Sequence, residues 1–132
     1  MTDKGAKTGF TLKDRRKAYR TSVKLESENG NSQKRYYRSI DISVSGISLA
    51  TEFPLPVGEQ LVLDFKMPQV LEPIRIRAEV VRVLTSDGRP LKNPASQKVI
   101  GFGVKFLELQ PVQKQVIREY ISSDGDDLPE PR

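Results

Sequence analysis

The sequence contains no histidine, no cysteine and no tryptophan in 132 residues. The lack of cysteine excludes disulfides, so the redox compartment cannot be inferred from them. Without histidine and cysteine, the chain also lacks the commonest general base, the thiolate nucleophile and nearly all zinc sites. The remaining carboxylates, lysines and serines show no spacing typical of a nucleophile with its base. We therefore expect a protein that is not an enzyme and that holds no metal ion and no cofactor.

Long apolar runs are absent as well. No segment approaches the length that a membrane span needs, and the N-terminus lacks the apolar core of a signal peptide. The composition, 36% apolar and 30% charged, is that of a folded soluble domain with one core. We expect a cytoplasmic monomer with one domain at 13–122, a flexible basic tail at 1–12 and a disordered acidic tail at 123–132.

Positive charge is concentrated in the N-terminal part of the chain. The net charge is +5, but residues 1–40 hold 11 Lys/Arg against 4 Asp/Glu, which gives +7. Residues 41–132 hold 11 against 13, which gives −2. An anionic partner that docks at the basic end fits this asymmetry, and a solvated basic tail is the alternative.

Apolar and polar residues alternate along most of the chain, as in half-buried antiparallel strands. The alternation is clear in four segments, 23–26, 61–67, 74–80 and 100–106, and two further strand candidates lie at 34–42 and 46–51. Asn29 and Gly30 are a strong hairpin-turn signal between the first two strands, because both positions tolerate positive φ. Residues 85–98, with Asp87-Gly88 and two prolines, predict a long loop.

A helix is predicted at 111–122. Pro111 suits the first helical position, and apolar residues recur after it at helical spacing. Six short strands and one helix predict an all-β fold, a small six-stranded antiparallel barrel with a C-terminal helix, because closure removes exposed strand edges. Such barrels host many functions, so the fold alone does not identify one.

Two short segments carry the informative side chains. The first ends at Arg20 and contains Arg15 and Arg16, and the second begins with Asp41-Ile-Ser43. By the strand prediction, the first segment precedes strand one and the second follows strand two. Because an antiparallel hairpin returns the chain to its starting level, we expect the three arginines to lie close to the carboxylate and the hydroxyl.

This cluster suits an anionic ligand that carries guanine. Arginine presents a planar fork of donors to phosphate oxygens or to the O6/N7 edge of guanine. Asp41 can accept from the N1–H and the amino group of the opposite edge, and Ser43 can donate to a phosphate or carbonyl oxygen. Gly46 allows the backbone to turn tightly or to approach a ligand without a Cβ in the way. The same residues also fit an ordinary ion pair at a strand end, with turn residues that bind nothing.

The order Arg16-x-x-x-Arg20, then Asp41-x-Ser43-x-x-Gly46, resembles the two-part signature of PilZ domains, the bacterial receptors of cyclic di-GMP. Either half alone is weak evidence, whereas both halves on either side of a hairpin are much stronger. The closing strand and the helix that begins at a proline are also similar to the family's. The resemblance covers nearly the whole chain.

The resemblance implies a receptor that binds cyclic di-GMP. The ligand-binding residues that it implies are Arg15, Arg16, Arg20, Asp41, Ser43 and Gly46. An arginine at the position of Arg15 often accompanies two intercalated ligand molecules, so the ligand is one molecule or such a pair. Some family members stack a tryptophan from a later strand on a guanine. This chain has none, and the equivalent contact would fall near Val80.

The same resemblance implies a switch. Segment 13–20 carries like charges and few apolar anchors, so we expect it to be mobile without ligand and ordered by it. Since the chain shows no effector domain, the expected partner is a downstream effector protein that acts in trans.

Two other functions fit the sequence. A nucleic-acid-binding barrel would use the basic end, with Tyr36 and Tyr37 as stacking rings. Strand packing also explains both tyrosines, and the basic residues are confined to one loop and hairpin, so we expect no nucleic-acid partner. The other alternative is an adaptor of PilZ fold that binds protein and no ligand.

Overall fold

The computed structural model describes residues 15–27, 34–68, 70–93 and 95–123. The expected turn at Asn29-Gly30 lies outside the described residues, and so do the expected tails apart from Ser123. The strands and the helix of the described ranges are β1 (Lys17–Ala18), β2 (Ser22–Ser27), β3 (Lys34–Ile42), β4 (Gly46–Ala50), β5 (Gln60–Phe65), β6 (Ile74–Thr85), β7 (Val99–Phe106) and α1 (Pro111–Ser122).

Strands β2 to β7 form a closed antiparallel barrel. They follow one another in the order β3–β2–β5–β6–β7–β4, and β4 pairs back with β3 to close the ring. The short strand β1 pairs with the end of β3, with Ala18 opposite Asp41. The predicted all-β barrel with one C-terminal helix is confirmed. Strand β6 continues beyond the predicted end at Val80 to Thr85, because β7 pairs with it along this whole length.

The interior of the barrel is filled by the inward members of the alternating pattern. The fully buried apolar residues are Val23, Ile42, Ile47, Leu49, Leu63, Ala78, Val80, Phe102 and Ile117. Burial of each large side chain contributes about 1.5–3 kcal/mol relative to exposure. Since successive side chains of a strand point to opposite faces, the residues between these positions face outward. The outer surface is therefore the place for a binding site.

Helix α1 begins at Pro111, as predicted. The backbone N–H of Gln110 donates to the side chain of Gln113 at 3.0 Å, one half of a reciprocal capping box. The helix buries Ile117 and Ile121 against the barrel core. In the described part of the chain, no helix combines the length and apolar character needed to cross a membrane.

Candidate functional site

Arg16 is the centre of a cluster of polar contacts at one corner of the barrel. Its Nε donates to Oδ1 of Asp41 at 2.8 Å, and its Nη1 donates to Oγ of Ser43 at 3.1 Å. Its Nη2 donates to the carbonyl of Gly46 and to Oγ of Ser48, both at 3.4 Å. The structure thus joins an arginine of the first motif to all three named positions of the second. We call Arg16 and these four partners the arginine corner.

Strand pairing explains how the arginine corner forms. Ala18 lies opposite Asp41, so Arg16, two residues earlier, is level with the β3–β4 connection. Because side chains alternate along an extended segment, Arg16 lies on the same face as Ala18. A β-bulge between Ser39 and Asp41 then sets Asp41 directly opposite Ser48 on β4. An extra residue in one strand re-aims the side chains that follow it, so the bulge points the carboxylate outward.

Ser43 has two partners at once. Its Oγ accepts from the backbone N–H of Ser45 at 3.1 Å, which shapes the turn between β3 and β4, and it also accepts from Arg16. The backbone N–H of Ser43 donates to the carbonyl of Gly46 at 2.9 Å. The serine therefore acts as a turn residue and contacts Arg16, and its expected role towards a ligand stays a prediction.

Close packing of strands requires a glycine at position 46. Positive φ angles occur at Gly58 and Gly88 and not at Gly46, so a tight turn does not require glycine there. A Cβ on Gly46 would lie 2.1 Å from the carbonyl oxygen of Val104 on β7. The residue must lack a side chain because the β7 backbone approaches it closely, and the expected tight turn is therefore not the reason for the glycine.

The other two arginines of the first segment are placed differently. Arg15 is exposed beside Arg16. Arg20 is also exposed, and no hydrogen bond or ion pair of its side chain is found in the part of the chain that the structure describes. The expected proximity to Asp41 and Ser43 is thus realised as direct contact by Arg16, while Arg20 makes no such contact.

An apolar anchor that the sequence analysis missed holds this segment to the barrel. Tyr19 is 4% exposed, and its ring lies edge-on to Phe65 and Tyr120, with centroids 6.2 and 5.6 Å away. Its hydroxyl donates to the carbonyl of Lys66. Burial raises the pKa of Tyr19, so the phenol stays neutral. The expectation that segment 13–20 is weakly anchored did not include Tyr19, because Lys17 and Arg20 flank Ala18 and Tyr19 and make the segment look polar.

Lys17 faces the C-terminal end of α1. Its Nζ donates to the carbonyls of Tyr120 and Ser123, both at 3.0 Å, and lies 4.3 Å from the centroid of the Tyr120 ring. The hydroxyl of Tyr120 donates in return to the carbonyl of Ala18 at 2.6 Å. A cation is favourable at this end of a helix, where the backbone carbonyls carry partial negative charge.

From the sequence, two tyrosines were possible stacking rings for nucleic acid, and a ligand contact was expected near Val80. These three side chains lie partly on the surface and partly in the core. Tyr36 is 67% exposed, whereas Tyr37 is half-buried and its ring lies edge-on to that of Phe102 at 5.4 Å. Tyr37 is therefore a packing residue, and Tyr36 remains as an exposed ring. Val80 points into the barrel and is fully buried, so its own side chain cannot make the contact expected near it.

Together the fold and the arginine corner define a small β-barrel with a cationic and hydrogen-bonding surface site. The family model that describes the PilZ domain matches residues 14–123. The chain belongs to the PilZ domain family. A comparison with curated proteins finds no match.

Solved structures of this fold are similar over most of the chain. The Bacillus subtilis inhibitor of motility, MotI/DgrA, has a TM-score of 0.60 and 20% identity, over 80% of this chain and 46% of its own. The PilZ domain of Escherichia coli YcgR with c-di-GMP has a TM-score of 0.55 and 14% identity, over 86% of this chain and 93% of its own. The K. pneumonia MrkH–c-di-GMP complex has a TM-score of 0.54 and 18% identity, over 82% and 49%. The chain thus spans about half the length of MotI/DgrA and MrkH.

Proposed function

We propose that this chain is a receptor that binds cyclic di-GMP (c-di-GMP) at the arginine corner. Its membership of the PilZ domain family supports this function. Two of the similar structures, those of YcgR and MrkH, contain c-di-GMP. The single observation that carries the proposal is the contact of Arg16 with Asp41, Ser43 and Gly46, which joins an arginine of the first motif to the second motif.

The arginine corner is accessible to a ligand, and its rearrangement costs little free energy. The side chains of Arg16 and Asp41 are 33% and 32% exposed, so a ligand can reach both. An ion pair at such exposure is worth at most about 1 kcal/mol, so a ligand can replace it at little cost. In the bound state Asp41 accepts from the N1–H and amino group of a guanine. The guanidinium of Arg16 then donates hydrogen bonds to a phosphate or to the O6/N7 edge of a guanine.

Exposed arginines next to the corner complete the proposed site. Arg20, whose guanidinium has no polar partner among the described residues, supplies a further donor fork for a phosphate or a guanine. Arg15, exposed one residue before Arg16, would serve a second, intercalated ligand molecule. The chemistry is binding by cations and hydrogen bonds, as in a receptor that is not an enzyme.

The signal passes to a partner protein through the N-terminal segment. Because Tyr19 is buried in the core and Lys17 binds the end of α1, the ligand orders the exposed arginines of segment 15–20. Closure of that segment over c-di-GMP creates a new surface beside the barrel, which an effector protein recognises in trans.

Isothermal titration calorimetry with c-di-GMP tests the proposal and measures the stoichiometry. One bidentate arginine–guanine contact contributes about 1–3 kcal/mol, so Arg16→Ala and Arg20→Ala should each weaken binding about tenfold to a hundredfold. Arg77→Ala is the matched control, because it removes one exposed arginine of the outer surface that pairs with Glu108 away from the corner. It should leave affinity within about twofold of the wild type.

Two results would contradict the proposal. If the wild type releases no heat and shows no chemical-shift change with c-di-GMP, the chain is a PilZ-fold adaptor that binds protein alone. If it shifts single-stranded RNA or DNA in a gel and ignores c-di-GMP, the exposed ring of Tyr36 and the basic segment belong to a nucleic-acid site.

A further inference from the structure

The outer face of β2 and of its neighbours β3 and β5 carries positive charge that the arginine corner does not use. Lys24 on β2 lies opposite Tyr36 on β3 and opposite Asp64 on β5. Two residues earlier on β2, Ser22 lies opposite Arg38. Residues that are directly opposed, or two apart on one strand, present their side chains on the same face of a sheet. These five side chains therefore lie together on the outside of the barrel.

An open groove of about 300 Å³ lies on this face. The residues that line it include Thr21, Ser22, Lys24, Tyr36, Asp64 and Lys66. The two hydroxyl side chains are short, whereas the two lysines and the tyrosine beside them are long, so the hydroxyls lie at the bottom of the groove. Ammonium groups and hydroxyls are donors for a carboxylate. We call these six residues, with Arg38 next to them, the lysine groove.

The carboxylates near the lysine groove are paired with an arginine at its far side. Arg75 donates from Nη2 to Glu26 at 3.0 Å and from Nη1 to Asp64 at 3.4 Å. The Nζ of Lys24 lies 4.0 Å from the other oxygen of Glu26. Lys66 is exposed, and within the described ranges its ammonium group has no hydrogen bond and no ion pair. The groove therefore keeps an excess of positive charge.

The exposed ring and the mixture of charges favour a protein partner over a nucleic acid. Tyr36 is 67% exposed, and Arg38, two residues further along β3, is exposed as well. Tyrosine and arginine are enriched where proteins bind one another. A single-stranded nucleic acid stacks its bases on aromatic rings along a basic track. The described part of this face instead presents one exposed ring, and Glu26 and Asp64 at its side would repel a phosphate backbone.

We propose that the lysine groove is a docking surface for an acidic segment of a partner protein. One carboxylate of that segment lies between Lys24 and Lys66, and an apolar side chain next to it packs on the ring of Tyr36. Arg38 offers a donor fork to a second carboxylate. The inference goes beyond the proposed function, because it uses no residue of the arginine corner and does not require c-di-GMP.

An NMR titration of the isotope-labelled protein with a short synthetic peptide, glutamates around one leucine, tests the inference. Without c-di-GMP and at low salt, the peptide should shift the amide signals of Lys24, Tyr36 and Lys66. Lys66→Glu should weaken peptide binding about tenfold. Tyr36→Ala should weaken it about fivefold. Lys114→Glu, the same charge change at an exposed position of α1, is the matched control and should bind within about twofold of the wild type.

Several results would overturn the inference. One is the absence of any shift in the wild type, and another is unchanged peptide binding in both Lys66→Glu and Tyr36→Ala. If Arg16→Gln abolishes peptide binding, the peptide occupies the arginine corner and the groove is not its site. If single-stranded oligothymidine shifts the groove signals at lower concentration than the peptide does, the partner is a nucleic acid. Failure of c-di-GMP to bind changes none of these results, so the two proposals fail independently.

Discussion

The arginine corner and the contacts around Lys17 and Tyr19 differ in their exposure and in their partners, although the residues that form them are neighbours in one short segment. Arg16 faces outward, about one-third exposed, and its partners belong to the connection between β3 and β4 and to β4 itself. Lys17 and Tyr19 instead contact α1 and the core, where Tyr19 is almost fully buried. We call the contacts of Lys17 and Tyr19 with the end of α1 the helix clamp.

The difference shows how one extended segment can present a proposed binding residue on one face and stabilising residues on the other. Side chains alternate between the two faces of an extended segment, so Arg16 and Ala18 lie on one face and Lys17 and Tyr19 on the other. Exposed ion pairs add little to stability, whereas a buried aromatic ring adds several kcal/mol. The helix clamp should therefore carry the stability of the segment, and the arginine corner should carry the affinity for ligand.

The strongest test of this division is Tyr19→Ala. Removing a buried aromatic ring leaves a cavity beside Phe65 and Tyr120, so the free energy of unfolding should fall by about 3 kcal/mol in urea titrations. Tyr19→Phe is the control and should lose about 1 kcal/mol, because the Lys66 carbonyl then lacks its donor. Unchanged stability of Tyr19→Ala would show that the segment is not anchored by this residue.

A smaller loss is expected from Gly46→Ala. The added methyl meets the Val104 carbonyl of β7, so β4 and β7 must separate, and we expect a loss of about 2 kcal/mol in thermal or urea unfolding. At Gly103 the nearest atoms belong to the flexible Arg82 side chain, at 3.4 Å, so Gly103→Ala should change stability by less than about 0.5 kcal/mol. Equal losses in the two variants would contradict the packing role of Gly46.

The smallest expected effect separates the neighbours Lys17 and Arg16. Lys17→Met removes a cation from the end of α1 and from the Tyr120 ring, which should cost about 1 kcal/mol of stability. Its affinity for c-di-GMP should stay within about threefold of the wild type. Arg16→Gln should show the reverse, with a stability change below about 0.5 kcal/mol and a large loss of affinity. If Lys17→Met weakened binding as much as Arg16→Gln, the two regions would be coupled.

Much of the barrel could be predicted because its strands follow a strict two-residue pattern. The inward residues of β5 and of β6 as far as Val80, together with Phe102 and Val104 of β7 and the start of α1 at Pro111, could be predicted from the local sequence pattern. The proximity of Arg16 to Asp41 followed from the return of an antiparallel hairpin. Tyr19 escaped prediction because a single buried ring between charged residues has no periodic pattern of its own.

By itself, the sequence determined the class of fold and the two motifs, because alternation and motif spacing are local properties of the chain. The tertiary structure decided which side chains share a surface. The bulge before Arg82 exists only through the pairing of β6 with β7, and the requirement for glycine at position 46 arises from a carbonyl of β7 more than fifty residues away. Contacts of this kind depend on the register between distant strands, and no local pattern in the chain contains that register.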